Sequence, residues 1–201
     1  MLVAAGGLAA CGGSSHRTSA AGAPSGSGST SAGSGTGNPG ALSADPRSAA
    51  TGDIPDNQVF LTFAERSAPF SIKYPEGWTR SNANGTVTFR DKNNLVRVLV
   101  RHGSAPTFVS VSSQLGALKR ATPTLTFTAP HAMSLPAGSA VAVRYTTVTA
   151  PSPVTGRRVR LIVDRYELAR AGRVAIVDLG TPVGVDNVDA YRMMIESFRW
   201  R

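Results

Sequence analysis

The sequence predicts an α+β domain built on a central antiparallel β-sheet, with helices packed on it and a disordered tether before it. Three observations predict it. Short runs alternate apolar with polar residues and are joined by turn residues, the mark of half-buried antiparallel strands. Two stretches, 107–121 and one opening near Asp186, change to a helical period. Residues 12–52 hold 35 Gly, Ser, Ala, Thr or Pro among 41, with Leu42 the one large apolar side chain. Such a stretch cannot bury enough area to offset the roughly 1–2 kcal/mol per residue lost on fixing a backbone. It reads as a flexible coil with a root-mean-square span of about 35 Å.

Taken in order, Val59 to Phe63 is an irregular strand, and Phe70 to Tyr74 alternates strictly. Pro75-Glu76-Gly77-Trp78 turns the chain. Asn84-Gly85 is a hairpin signal leading into Val87 and Phe89. Asp91 to Asn94 is another turn. Leu95 to His102 places Val96, Val98 and Val100 on one face and Arg97, Leu99 and Arg101 on the other. Phe108, Val111, Leu115 and Leu118 form the apolar stripe of the first helix, which Gly116 weakens by about 1 kcal/mol and Pro123 stops. Strands follow at Leu125 to Ala129, Ala140 to Thr149, Val159 to Leu168 and Val174 to Leu179. Asp186 is the expected N-cap of the last helix, with Asp189 in its first turn. Val188, Tyr191, Ile195 and Phe198 make its stripe, with Met194 beside it. One helix is expected on each face of the sheet.

Composition bounds the function. The chain has 201 residues, 21 Lys+Arg against 12 Asp+Glu, and a formal net charge of +9. With 41% hydrophobic and 16% charged residues it is not a disordered polyelectrolyte. The tether carries Arg17, Arg47 and Asp45, which leaves +8 on residues 53–201. One cysteine excludes an intrachain disulfide and any multi-cysteine zinc site. No run of 18 apolar residues is present.

Residues 1–11 read MLVAAGGLAAC, and Leu8-Ala9-Ala10-Cys11-Gly12 resembles a bacterial lipobox. The resemblance implies a diacylglyceryl group on the Cys11 thiol, palmitate-type acylation and cleavage before Cys11. Two acyl chains anchor firmly where one does not. A full signal has a basic n-region. Here ten residues precede the cysteine and none is basic, so the true start is expected upstream. The expected location is the extracytoplasmic face of the cell membrane. The competing reading is a lone cysteine without a role.

Phe70-Ser-Ile-Lys-Tyr-Pro-Glu-Gly-Trp78 resembles the F-x-I-x-Y-P-x-G-W signature of PsbP-like domains, and Tyr191 through Ser197-Phe198 is similar to their closing helix. The resemblance covers 53–201. It implies an α/β/α sandwich, a fold shared with a nuclear Ran-binding factor and many bacterial lipoproteins. It also implies protein binding or a scaffold and accessory role, in place of catalysis. With 18 Arg against 3 Lys and much Ala, Gly and Val, the composition resembles that of a high-GC actinobacterium.

No catalytic motif stands in the sequence: no G-x-S-x-G, no Walker loop, no H-E-x-x-H. His102 and His131 form no ligand-spaced pair, and no metal or cofactor is expected. Asp164 and Asp178 could meet across strands for acid–base work. The preferred alternative pairs them with arginines. Asp178 shares the phase of Val174 and Ile176 and is expected inward. Arg157, Arg158, Arg160, Arg165, Arg170 and Arg173 form the densest charge feature. Three readings stand for it: a solvated face, a patch for anionic lipid or cell-wall polymer, or a contact for an envelope protein. Nucleic acid is not expected, since no aromatics interleave the arginines. Trp78 and Trp200 read as core or end-plug residues, with Trp200 open to exposure.

Overall fold

The computed structural model describes residues 52–152, 154 and 156–201. Cys11, the 1–11 segment and residues 12–51 of the tether lie outside them. The described residues form strands β1 (Phe60–Phe63), β2 (Phe70–Pro75), β3 (Thr79–Ala83), β4 (Thr86–Asp91) and β5 (Asn94–His102). Helix α1 (Phe108–Ala121) follows. Next come β6 (Thr126–Phe127), β7 (His131–Leu135), β8 (Gly138–Val148), β9 (Arg160–Arg170) and β10 (Arg173–Pro182). Helix α2 (Val188–Glu196) and β11 (Arg199–Trp200) close the chain.

All pairings are antiparallel. The large sheet runs β3-β4-β5-β10-β9-β8-β6, with β7 also on β8, and a small sheet runs β1-β2-β11. The Pro75–Trp78 turn carries the chain from the small sheet into the large one. Gly77 takes φ 86 there, a conformation open to glycine without a Cβ penalty. Asn84 and Gly85, at φ 52 and 73, make the primed turn their sequence foretells.

The cross-strand register divides the large sheet into two faces. The first carries Phe89, Val96, Val98, Val177, Leu179 and Leu168, and is covered by the small sheet and by Tyr191, Met194 and Ile195 of α2. The second carries Val141, Val143, Tyr145, Leu161 and Val163 beneath Val111 and Leu115 of α1. One helix therefore lies on each face, as expected.

Helix α1 starts at a capping box. The Thr107 hydroxyl accepts from Ser110 N at 3.1 Å, and Thr107 N donates to Ser110 Oγ at 2.9 Å. Lys119 and Arg120 in its last turn suit the helix dipole. Phe108 does not join the stripe. At the first position of the helix, it is 49% exposed, while Val111 and Leu115 are buried.

At α2 the N-cap is Asn187, not Asp186. The Asn187 side chain faces inward and ties the loops together: its oxygen accepts from Ile54 N at 2.8 Å, and its nitrogen donates to Thr181 Oγ1 at 2.9 Å. Asp186 instead accepts from Val188 N at 3.2 Å. Val188 leaves the expected stripe and is 56% exposed. Gly52, the first described residue, is tied into the fold: its carbonyl accepts from Asn94 and Asn187. Among the described residues, no helix is long and apolar enough to cross a membrane.

Candidate functional site

The register places Asp178 opposite Arg97 on β5 and Arg165 on β9. All three side chains point to the second face. Arg165 Nε reaches Asp178 Oδ1 at 2.7 Å and its Nη2 reaches Oδ2 at 3.0 Å, while Arg97 donates through Nε and Nη2 to Oδ2. Asp178 is 1% exposed. Burial alone would raise its carboxyl, but the bonds and charge of Arg165, then those of Arg97, hold it below the usual carboxylate range. The Arg165 guanidinium lies 5.4 Å over the Tyr145 ring, and burial pushes that phenol up to about 12.

Next to this cluster Glu167 is 1% exposed. Gln114 of α1 donates to its Oε2 at 3.2 Å, and Arg165 Nη1 stands 3.9 Å from its Oε1. Oε1 has no hydrogen-bond partner. Burial raises this carboxyl, more than Gln114, Arg165 and Arg101 lower it.

Asp164 lies on the other face, opposite Arg144 and Leu179. Arg144 holds it bidentately at 2.7 and 2.9 Å, and that bond raises the guanidinium in turn. The two aspartates thus do not meet. His102 on β5 and His131 on β7 are four strand spacings apart, about 19 Å at the usual interstrand distance. Among the described residues no group of His, Cys, Asp and Glu is arranged for a metal ion.

The six arginines of the sequence patch separate. Arg165 leaves it altogether, being 9% exposed and turned inward on Asp178. Its phase with Leu161 and Val163 was the signal for this. Arg170 and Arg173 pair with each other at one end of the β9–β10 hairpin. Arg173 stacks 5.7 Å over Trp200 and donates to the Arg201 carbonyl at 3.1 Å. Trp200 is not exposed: β11 pairs with β2, and the ring is 9% exposed against Phe198. Trp78 packs half-buried against the same core. Arg157, Arg158 and Arg160 stand at the other end of β9, ten residues or about 33 Å from Arg170. Arg158 Nη1 donates to the Thr149 carbonyl at 3.2 Å.

That end of the sheet carries a recess that sequence reasoning missed. The β4–β5 turn and the β8–β9 loop rise on either side of the end of β10 and enclose a cleft of ≈ 690 Å³. Arg90, Lys92 and Arg157 line it, over Leu95, Val159 and Leu161. No carboxylate is among its lining residues. Its floor is continuous because Gly180 of β10 presents no side chain between Leu95 and Leu161; a Cβ there would meet Leu95 Cβ at 3.5 Å and Leu161 Cδ1 at 3.8 Å. A second groove of ≈ 610 Å³ is lined by Arg144, Asp164 and Arg165, and each of its arginines is paired with an aspartate, Arg144 with Asp164 and Arg165 with Asp178. No local motif announces the cationic cleft, since its walls come from chain segments more than fifty residues apart.

These features define an antiparallel α+β fold with a recess lined by Arg90, Lys92 and Arg157. No family model matches the chain, and no curated protein matches it. Solved structures similar to it include three described here. The Saccharomyces cerevisiae Ran-binding protein Mog1p is 6% identical, with 70% of this chain and 95% of that one covered and a TM-score of 0.50. Cyanobacterial PsbP (CyanoP) from Synechocystis sp. PCC 6803 is 14% identical, with 75% and 98% covered and a TM-score of 0.49. A Bacteroides thetaiotaomicron protein is 13% identical, with 70% and 48% covered and a TM-score of 0.45, so the chain spans about half of its length. The likeness to Mog1p is one of fold. It agrees with the fold the Phe70–Trp78 segment suggests.

Proposed function

We propose that the chain is a non-enzymatic binding or scaffold module of the cell envelope, held at the extracytoplasmic face of the membrane by lipid on Cys11. The observation that carries the non-enzymatic part is the disposition of the two central aspartates. Asp164 and Asp178 stand on opposite faces, each committed to arginine, so they do not form a convergent acid–base pair. The histidines stand too far apart to share a site. Mog1p is a Ran-binding protein, so the fold supports protein binding in at least one other chain; no partner is transferred from it. The anchoring part rests on Leu8-Ala9-Ala10-Cys11 and the tether that follows.

A second reading is favoured by the cationic cleft: a module that binds an anionic envelope lipid or glycopolymer.

The test is the intact mass of the mature amino-terminal peptide from native membranes of the source cell. A diacylglyceryl mass on Cys11 with residues 1–10 removed is expected. A peptide that retains Met1 in a soluble fraction would sink the lipoprotein reading. Crosslinking in the same membranes then identifies the envelope partner.

A further inference from the structure

We infer that the groove over the middle of β8, on the first face of the large sheet, binds an uncharged saccharide. This deepens the binding-module reading and rests on it.

The groove is a gap in the cover of that face. Register sets three rows across it: Met133 beside Ala140, His131 and Tyr166 on either side of Ala142, and Asp164 beside Arg144. Ala142 is buried between its neighbours, yet it belongs to neither core cluster, so the packing of the first face stops short of it. One small side chain among larger ones leaves a hollow. Its volume, ≈ 610 Å³, is that of a small-molecule site.

Three features select the ligand. The first is charge. Both guanidiniums of the lining are committed to aspartate. Arg144 holds Asp164 through Nε and Nη2 at 2.7 and 2.9 Å, and Arg165 turns to the second face and Asp178. The groove therefore offers polarity without a surplus of either sign, and an anion gains little in it.

The second feature is the pattern of donors and acceptors. Arg144 Nη1 takes no part in the bidentate pair, and the Asp164 oxygens keep lone pairs to spare. A carboxylate and a guanidinium thus stand side by side at one end of the hollow. Each sugar hydroxyl donates once and accepts twice, so two neighbouring hydroxyls match that pair with charge-assisted hydrogen bonds. At the centre, burial and then the Asp164 charge push the Tyr166 phenol up to about 12, so it stays a donor throughout the neutral range.

The third is the apolar surface. Tyr166 and Met133 are half-buried and flank the Ala142 floor. His131 and Tyr166 are two strand spacings apart, about 9–10 Å. A flat ring in contact with both sides takes about 7–8 Å. A puckered sugar ring, with C–H bonds on each face, fills more, and its C–H face covers an aromatic ring. An extended peptide finds no backbone to pair with here, because β8 is already paired by β9 on one edge and by β6 and β7 on the other.

The full chain carrying Cys11→Ser, which removes lipid anchoring, is titrated calorimetrically with cellobiose, maltose and N,N′-diacetylchitobiose. At least one is expected to saturate a single site, and the anionic cellobiouronic acid to bind no more tightly than the best of them. Asp164→Asn should weaken that sugar about tenfold or more. Ala142→Leu fills the hollow and should abolish binding. The Arg144–Asp164 pair is partly exposed, so Asp164→Asn costs the fold little and remains readable if Ala142→Leu unfolds. Arg90→Gln, outside the groove, should leave the affinity within about twofold. A flat titration with every neutral disaccharide, or an Asp164→Asn variant that binds like the parent, overturns the site and leaves the protein-binding reading standing. Saturation by tri-alanine in place of the sugars overturns it in favour of a peptide, and tighter binding of the uronic acid overturns it in favour of an anion. Cleavage of the bound disaccharide to monosaccharides would keep the site and sink the non-enzymatic reading.

Discussion

Asp178 is the residue on which the second face of the sheet depends. It satisfies two guanidiniums while 1% exposed, and Arg165 is itself buried. Breaking a buried pair by removing one partner costs about 3–5 kcal/mol. Asp178→Asn should lower the thermal midpoint by about 6–20 °C, given roughly 2–4 °C per kcal/mol at this domain size; scanning calorimetry reads it directly. The two buried carboxyls also have opposite pH signatures. Asp178 is held below its unfolded value of 3.8, so its contribution is present above that pH and fades as pH falls through the folded value. Glu167 is raised above its unfolded value of 4.5, so the folded state holds its proton more tightly. Its contribution is fully present below pH 4.5 and is lost as pH rises through the folded value. In melts from pH 4 to 8, Glu167→Gln should remove this decline, with the variant gaining on the parent as pH rises. Parallel curves for the two proteins would show that Gln114 and Arg165 already compensate the ionised form. The inward turn of Asp178 was legible from its phase with Val174 and Ile176. That of Arg165 was equally present in its phase with Leu161 and Val163, but the density of arginines around it suggested a surface patch.

At the level of elements, period and turn chemistry located most strands and both helices, because those signals act over a few residues. β3, β7 and β11 escaped them. β3 reads TRSNA and is exposed along its whole length, since it is the edge of the large sheet and buries neither face. β7 has one buried residue, Leu135, and β11 has two residues in all. β3 and β7 pair with the strands that follow them, β4 and β8, but bury too little to show a period, while β11 exists through β2, which no local window contains. The same holds for the α2 cap, where Asn187 is drawn inward to Ile54, Asn94 and Thr181 and leaves its own helix without a side-chain cap. Helix α1 offers a direct check on the energetics. Gly116 sits in its interior, and an added Cβ would find Arg120 Nη1 at 3.9 Å. Gly116→Ala should stabilise the domain by about 0.5–1 kcal/mol, read as a rise of about 1–4 °C in thermal midpoint. No rise would mean that α1 contributes little to the cooperative unit.

For the molecule as a whole, the tether, the lone cysteine and the net charge are properties of composition and are legible at once. They carry a prediction of their own: Cys11→Ser should move the chain from the membrane fraction to the soluble fraction, as read by fractionation and immunoblot. Retention at the membrane would place its attachment in the folded domain. Fold class was equally legible, because alternation, helical period and the Phe70–Trp78 segment are written in neighbouring residues. The site was not. The six arginines adjacent in sequence part company, one buried on Asp178 and the others divided between the two ends of a strand eleven residues long. The cations that do converge, Arg90, Lys92 and Arg157, come from turns that meet across the end of β10. A side chain's face follows from its period, which two neighbours reveal. Its companions follow from strand order and register, which are settled when the apolar faces of distant segments pack together.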